Sequence, residues 1–174
     1  MFDLNELRAS GFFIWPTEVK GRITARFGET AAATERPVPW AVGGHEGVDQ
    51  SLPIGTVVLA MADGYVVESG ALTDSAGKMV GTYGNRIAID HDPPEGFLPA
   101  GWKIRTWYCH LSECLVERGT WVERGRPIGL SGNTGSSTGP HLHVMVQMVP
   151  PLPPGLNERL RGVMDPLQCV AMPA

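Results

Sequence analysis

Glycine and proline interrupt this sequence so often that long helices are not expected in it. The 174 residues include 22 glycines and 15 prolines, about 21% of the chain against an average of about 12%. Both residue types favour turns over helix interiors. We therefore predict an all-β protein, and the length fits one domain whose core is large enough to fold without disulfides or a structural metal.

Composition also limits the partners and the location of the chain. The formal net charge is −4 and no run of basic residues occurs, so a nucleic-acid partner is not expected. No stretch of about 18 apolar residues is present, which predicts that no segment spans a membrane. Residues 1–15 lack the features of a secretory signal, so the chain is expected to remain in its cell or to leave by another route. The three cysteines, Cys109, Cys114 and Cys169, have no C-x-x-C spacing and are predicted to be partly buried thiols.

Short β-prone runs alternate with turn residues from residue 15 onward. Strands are predicted at residues 85–91, 103–111, 127–130 and 141–148. A β-hairpin is predicted from residues 56–61 and 65–68, with Asp63 and Gly64 in its turn. Residues 31–44, 70–84 and 92–101 are predicted to be surface loops around a binding site.

Two flanking segments are expected beside the domain. Residues 1–14 form a lead-in to which no regular structure is assigned, and residues 15–148 form the domain itself. Residues 149–174 form a proline-rich tail that ends the last strand and has a short helix at residues 157–164.

Four of the five histidines fall in three short segments. His45 and Asp49 are four residues apart, a spacing that leaves both side chains on one side of a strand or a helical turn. His141 and His143 share one face of a predicted strand. In another predicted strand, His110 is expected on the same face as Tyr108, with Cys109 and Leu111 on the reverse.

Two imidazoles and one carboxylate are a common catalytic zinc set, because three protein ligands leave the fourth position open for water. The five candidates exceed that need by two: His45, Asp49, His110, His141 and His143. The surplus histidines suit proton transfer or stabilisation of an oxyanion. The residues alone leave open whether His141 or His143 binds the metal.

These segments, in this order, resemble the lysostaphin-type zinc endopeptidase family, which cleaves peptide bonds in bacterial cell-wall peptidoglycan. The resemblance covers residues 15–147. It rests on Trp15-Pro16, residues 21–28, residues 45–49 (HEGVD), residues 55–64, residues 108–112 (YCHLS), residues 125–129 (GRPIG), and residues 132–135 with the H-L-H of residues 141–143.

The resemblance implies an antiparallel β-sheet groove, similar to a barrel-sandwich, with loops as walls and Zn²⁺ on its floor. Matched position by position, it makes His45, Asp49 and His143 the zinc ligands, and His110 and His141 the catalytic histidines. One of this pair would be the general base and the other would stabilise charge. The implied reaction is hydrolysis of stem or bridge peptides at the cell wall, in the periplasm or outside the cell.

Two other functions stay open. One is a non-catalytic domain of this fold that binds the wall or activates a hydrolase, and the other is a histidine phosphocarrier domain. Glu46 is a competing general base, but it is expected to point away from the site as a surface or groove-rim residue. His91, between Asp90 and Asp92, is predicted to lie at the surface without a role.

Overall fold

The computed structural model describes residues 3–29, 44–149 and 162–170 of the chain. Short strands dominate these ranges, and the predicted all-β class is confirmed. The elements are α1 Leu4–Ala9, β1 Ile23–Ala25, β2 Val48–Ser51, β3 Val57–Leu59, β4 Gly64–Gly70, β5 Asn85–His91, β6 Lys103–Leu111, β7 Glu113–Cys114, β8 Trp121–Val122, β9 Pro127–Leu130, β10 His141–Val149, β11 Val163–Met164 and α2 Pro166–Cys169. Neither helix is long and apolar enough to cross a bilayer, so these ranges contain no candidate membrane-spanning helix.

The strands form two antiparallel sheets that remain open rather than closing into a barrel. The large sheet has the order β1-β2-β10-β6-β5-β4-β8, with β11 also paired to β10, and the small sheet has the order β3-β9-β7. Strand β10 lies between β2 and β6, which places His143 opposite Asp49 on one side and opposite Cys109 on the other. Three of the segments singled out in the sequence therefore meet at one end of the large sheet.

One face of the large sheet forms the main core against the small sheet. Leu142 and Val144 of β10 and Tyr108 of β6 are fully buried with Val58 of β3 and Ile128 of β9. Alternation along β10 sends the apolar residues of even number to this core and the residues of odd number to the other face. The histidine face predicted for this strand therefore exists.

The other face of the large sheet, here called the second face, carries a smaller apolar cluster. Its buried members are Ala88, Trp107, Cys109 and Met145. His143 is two residues before Met145 and shares its face. The candidate site histidine of this strand thus lies on the second face, beside a packed apolar patch.

The hairpin predicted from residues 56–68 is wrong. Strand β3 pairs with β9 in the small sheet, whereas β4 pairs with β5 and β8 in the large one. Between them, the Ala60 N–H donates to Arg126 O, and Met61 O accepts from the Ile14 N–H, each at 2.9 Å. Because other segments take these hydrogen bonds, the Asp-Gly turn carries the chain from one sheet to the other.

His91 is not a surface residue as predicted, because it is fully buried. Its Nδ1–H donates to Asp63 O at 2.8 Å, and its Nε2 lies 2.8 Å from the Thr106 hydroxyl. The rings of Phe12 and Phe13 pack edge-on against the imidazole, with centroids 6.4 and 5.4 Å away. The flanking aspartates suggested exposure, but the apolar lead-in covers the ring.

The flanking segments contribute to the same core. The lead-in contains α1, whose N-cap Asp3 accepts a hydrogen bond from the Asn5 N–H, and Leu7 of this helix is buried. Of the helix predicted at residues 157–164, residues 157–161 lie outside the described ranges, and residues 163–164 form a strand instead. Loop residues 31–43 also lie outside those ranges. The boundaries proposed at residues 14 and 148 stay predictions.

The three cysteines are free thiols, in agreement with the absence of disulfide spacing. Cys109 and Cys169 are buried and Cys114 is half-buried. Burial raises the pKa of each thiol, that of Cys169 to about 12, so all three are protonated at neutral pH.

Candidate metal centre

His45, Asp49 and His143 place one side-chain atom each around a common point. His143 Nδ1 lies 2.7 Å from Asp49 Oδ1, and His45 Nε2 lies 3.0 Å from His143 Nδ1 and 3.2 Å from Asp49 Oδ1. Asp49 and His143 are cross-strand partners on β2 and β10. The three residues that the resemblance implies as ligands therefore lie close together.

His45 precedes β2 in a bent segment that the backbone holds in place. Its N–H donates to Glu29 O at 2.9 Å, and its carbonyl accepts from the Gly28 N–H at 2.8 Å. Its ring Nδ1–H faces Arg26 O at 3.2 Å. The Nε2 lone pair is therefore turned toward Asp49 and His143.

The donor set fits a divalent metal ion of the zinc type. Tetrahedral zinc with bonds of about 2.0–2.1 Å holds its ligand atoms about 3.3 Å apart, and the separations here are 2.7, 3.0 and 3.2 Å. The Nε2 atom of His143 is buried and has no hydrogen-bond partner within the described part of the chain, so the polar contacts of this ring lie on its Nδ1 side. The three atoms form the metal-compatible group found among the described residues.

The protonation states suit a cation at this point. Burial opposes ionisation of Asp49, but its contacts with His143 and His45 outweigh this effect and hold the pKa of the carboxyl well below its usual range. Burial lowers the pKa of His143. Burial also acts to lower the pKa of His45, but its contacts with Asp49 raise it overall. At neutral pH, a carboxylate and a neutral imidazole are thus available as ligands.

The other two histidines of the site lie beside this group. The ring centroids of His110 and His141 are 4.6 Å apart, and His141 Nε2 is 3.8 Å from Asp49 Oδ1. The Nδ1–H of His110 donates to Thr134 O at 2.8 Å, and that of His141 donates to Gly139 O at 2.7 Å. In its neutral form, each ring therefore has a lone pair on Nε2, which is able to accept a proton. Burial lowers the pKa of His110 to about 4, so this imidazole is neutral at pH 7.

The distances bear on the choice that the residues alone left open. His143 Nδ1 is 2.7 Å from Asp49 Oδ1, whereas His141 Nε2 is 3.8 Å from the same atom. His143 thus belongs to the metal-compatible group, and His141 lies beside it.

The prediction that Tyr108 and His110 share a face is wrong, and a β-bulge is the reason. Opposite β5, the three steps from Tyr108 to Leu111 match only the two steps from Ile87 to Asn85. The extra residue is His110, whose φ of +63° lies in the left-handed region. Tyr108 and Leu111 consequently both point into the main core, while the imidazole turns toward the metal-compatible group.

Tyr83 is a residue of the site that sequence reasoning missed. Its ring stacks on that of His143, with centroids 6.0 Å apart and planes inclined by 20°, and its carbonyl accepts from the His110 N–H at 2.9 Å. Its hydroxyl donates to Glu46 Oε2. Glu46 is half-buried at the rim, as expected, but its side chain turns toward the site rather than away. The signal that could have found Tyr83 was its place at the end of the predicted 70–84 loop.

The glycine-rich loop before β10 contacts the site through Thr134. The carbonyl of Thr134 fixes His110, and its hydroxyl donates to Leu111 O at 2.8 Å. Gly84 and Gly135 pack so tightly here that a Cβ on Gly135 would lie 2.3 Å from Gly84 N. This contact needs glycine at both positions.

Comparison with known proteins identifies the family. Residues 43–151 match the model of peptidase family M23. The peptidoglycan DD-endopeptidase ShyA of Vibrio cholerae is 39% identical over 129 residues, which are 74% of this chain and 25% of the relative. The chain spans a quarter to a third of the length of the first three curated relatives that it matches.

Solved structures give the same result. The catalytic domain of the antimicrobial peptidase lysostaphin from Staphylococcus simulans has a TM-score of 0.59 and 30% identity, covering 84% of this chain and 90% of that one. A zinc-containing peptidase from Vibrio cholerae has a TM-score of 0.63 and 28% identity, covering 92% of this chain and 40% of that one. The chain therefore belongs to peptidase family M23, the lysostaphin-type metallopeptidases.

Proposed function

We propose that this chain is a zinc-dependent endopeptidase that hydrolyses peptide crosslinks of bacterial peptidoglycan. The observation that carries the proposal is the meeting of His45 Nε2, Asp49 Oδ1 and His143 Nδ1 within 3.2 Å of one another, next to two further imidazoles. Two relatives support the substrate class, since one is named a peptidoglycan DD-endopeptidase and another lysostaphin. The site of action would be the bacterial cell wall.

In this proposal, His45, Asp49 and His143 hold the zinc ion. When bound, zinc would lower the pKa of a water molecule and polarise the carbonyl of the scissile bond. The chain itself supplies the proton transfers through His110 and His141. The Nε2 of one imidazole would accept a proton from the attacking water and pass it to the leaving amine, while the other imidazole, protonated from solvent, would stabilise the developing oxyanion.

The backbone contacts of the two imidazoles explain why they are suited to these roles. In both rings the Nδ1–H is held by a carbonyl oxygen, so ring rotation and the wrong tautomer are disfavoured. The acceptor atom is then fixed in direction before substrate arrives, which reduces the reorganisation required during the reaction.

The experiment combines metal analysis with wall hydrolysis. Purified protein is expected to hold about one zinc per chain and to release peptides from isolated cell walls. The variants H143A and D49N should lose both properties, because each removes one of three ligands. Asp92, whose side chain is 74% exposed, provides a matched control in D92N, which should keep both.

Three outcomes would contradict the proposal. Normal hydrolysis by metal-free H143A would overturn the ligand assignment. Zinc binding without hydrolysis of any wall would instead indicate a non-catalytic domain of the same fold. Formation of phosphohistidine from a phosphate donor would indicate the phosphocarrier function.

A further inference from the structure

The carboxylate of Glu46 is held at the rim of the site with one oxygen already occupied. Its Oε2 accepts the hydroxyl hydrogen of Tyr83. Its other oxygen, Oε1, has no hydrogen-bond partner within the described ranges, and the side chain is half-buried rather than fully solvated. Glu46 therefore presents one acceptor atom in a fixed direction.

Tyr83 ties the position of this carboxylate to the site. The Tyr83 ring stacks on His143, and its carbonyl holds the N–H of His110. Glu46 itself follows His45 directly in the chain. The carboxylate is thus connected to three site histidines.

The Glu46 carboxylate lies within the length of a few peptide residues of His143. The rings of Tyr83 and His143 are 6.0 Å apart, and the Tyr83 hydroxyl and its hydrogen bond add about 5 Å more. The carboxylate of Glu46 is therefore at most about 11 Å from the His143 ring, the length of about three extended residues. A substrate held at the metal-compatible group would pass within reach of it.

No cation of the described chain neutralises Glu46. The Lys and Arg ion pairs in these ranges join Arg86 to Glu68, Lys103 to Asp92 and Arg105 to Asp90, so Glu46 is left without one. A half-buried carboxylate with a free oxygen favours a partner that carries positive charge.

We infer that Glu46, oriented by Tyr83, is a specificity-determining residue that binds a protonated amino group of the substrate within about three residues of the scissile bond. The inference rests on the proposed peptidase function and deepens it. The ammonium would donate to Glu46 Oε1 while Tyr83 keeps Oε2 occupied. Peptides with a free amine at that distance would be preferred over peptides whose amine is acylated.

The test compares two synthetic crosslinked peptides that differ only in acetylation of one primary amine near the scissile bond. Wild-type protein should show a KM about fivefold to tenfold lower for the free amine, and the preference should shrink as salt is raised. E46Q should bring the two KM values together and change kcat for both peptides alike. Y83F should lose part of the preference, since it removes the hydroxyl but keeps the ring on His143. E117Q, at an exposed glutamate outside the site, should keep the preference in full.

Equal KM values for the two peptides in wild-type protein would overturn the inference, as would a preference that survives in E46Q. Calorimetric binding of both peptides to zinc-loaded protein separates this inference from the proposed function. Hydrolysis without amine preference rejects the role of Glu46 and leaves the peptidase. Tighter binding of the free amine without hydrolysis, lost in E46Q, rejects the peptidase and keeps the binding role.

Discussion

Buried His91 makes the stability of this protein depend on pH in a way that can be calculated. Its Nδ1 faces Asp63 O, which can only accept, so this nitrogen carries the ring hydrogen. A neutral ring then needs the Thr106 hydroxyl to donate to Nε2. The Thr106 hydroxyl also lies 3.0 Å from the Tyr108 hydroxyl, which accepts from the Met61 N–H at 2.8 Å. An uncharged His91 can therefore make a hydrogen bond at each of its two ring nitrogens.

The magnitude follows from the pKa. Burial lowers the pKa of His91 from 6.5 to about 4. Between these values the unfolded chain binds a proton that the folded chain does not. The contribution of neutral His91 to the free energy of unfolding is therefore fully present above pH 6.5 and falls as pH drops toward 4. A difference of about 2.5 pKa units corresponds to about 3 kcal/mol.

The assay is urea unfolding of wild type and H91Q at pH 7, 6, 5 and 4. H91Q should be less stable at pH 7, because it leaves buried partners unsatisfied. The difference in the free energy of unfolding between wild type and H91Q should then decrease by about 3 kcal/mol between pH 7 and pH 4. Burial also lowers the pKa of His110 to about 4, but this group titrates in both proteins and cancels in the difference. A deficit that stays constant from pH 7 to pH 4 would refute the buried neutral imidazole.

Three further predictions concern the site. H110G should be more stable than H110A by about 1 kcal/mol in urea unfolding, because only glycine tolerates the φ of +63° without strain, and equal stability would contradict a strained bulge. G135A should lower the melting temperature by several degrees more than G77A. Both positions have positive φ, but only at Gly135 would a Cβ meet backbone atoms. Equal melting temperatures would show that the contact at Gly135 is loose. Removing zinc with a chelator should lower the free energy of unfolding of wild-type protein by about 2.7 kcal/mol, compared with protein in free zinc at a hundred times its Kd. The stability of H143A should not change. No effect on wild type would argue against a metal.

Much of the fold could be predicted from local pattern. Strands β5, β6 and β9 have the predicted bounds, and β10 extends one residue beyond them, to Val149. Glycine or proline lies within two residues of the start of each of these runs, which indicates where a strand can begin. The faces of β10 were also correct, because strict alternation in a regular strand leaves no other choice.

Pairing between distant segments was less accessible to sequence reasoning. The run at residues 57–59 looks like one arm of a hairpin, but β9 takes its hydrogen bonds across about 70 residues of chain. His91 likewise looks exposed beside two aspartates, and the groups that bury it come from the lead-in and from β6. Local composition contains no information about such partners.

The candidate site shows the same division. His45, Asp49 and His143 meet because adjacent strands in register bring together residues whose spacing already pointed to one ion. That they bind zinc stays a prediction. The placement of His110 depends on an extra residue in β6, and Tyr83 and Thr134 act through backbone and hydroxyl contacts that no spacing rule reveals.

The bulge in β6 has an evolutionary consequence. The strand has one additional residue between Tyr108 and Leu111, and both of these side chains point into the main core. A regular strand without that residue would point them to the same face. Deleting the codon for His110 would remove an imidazole from the groove while leaving the order of inward and outward side chains intact. Under the proposed mechanism, one in-frame deletion would therefore abolish catalysis while leaving a folded module, available for functions that require recognition alone.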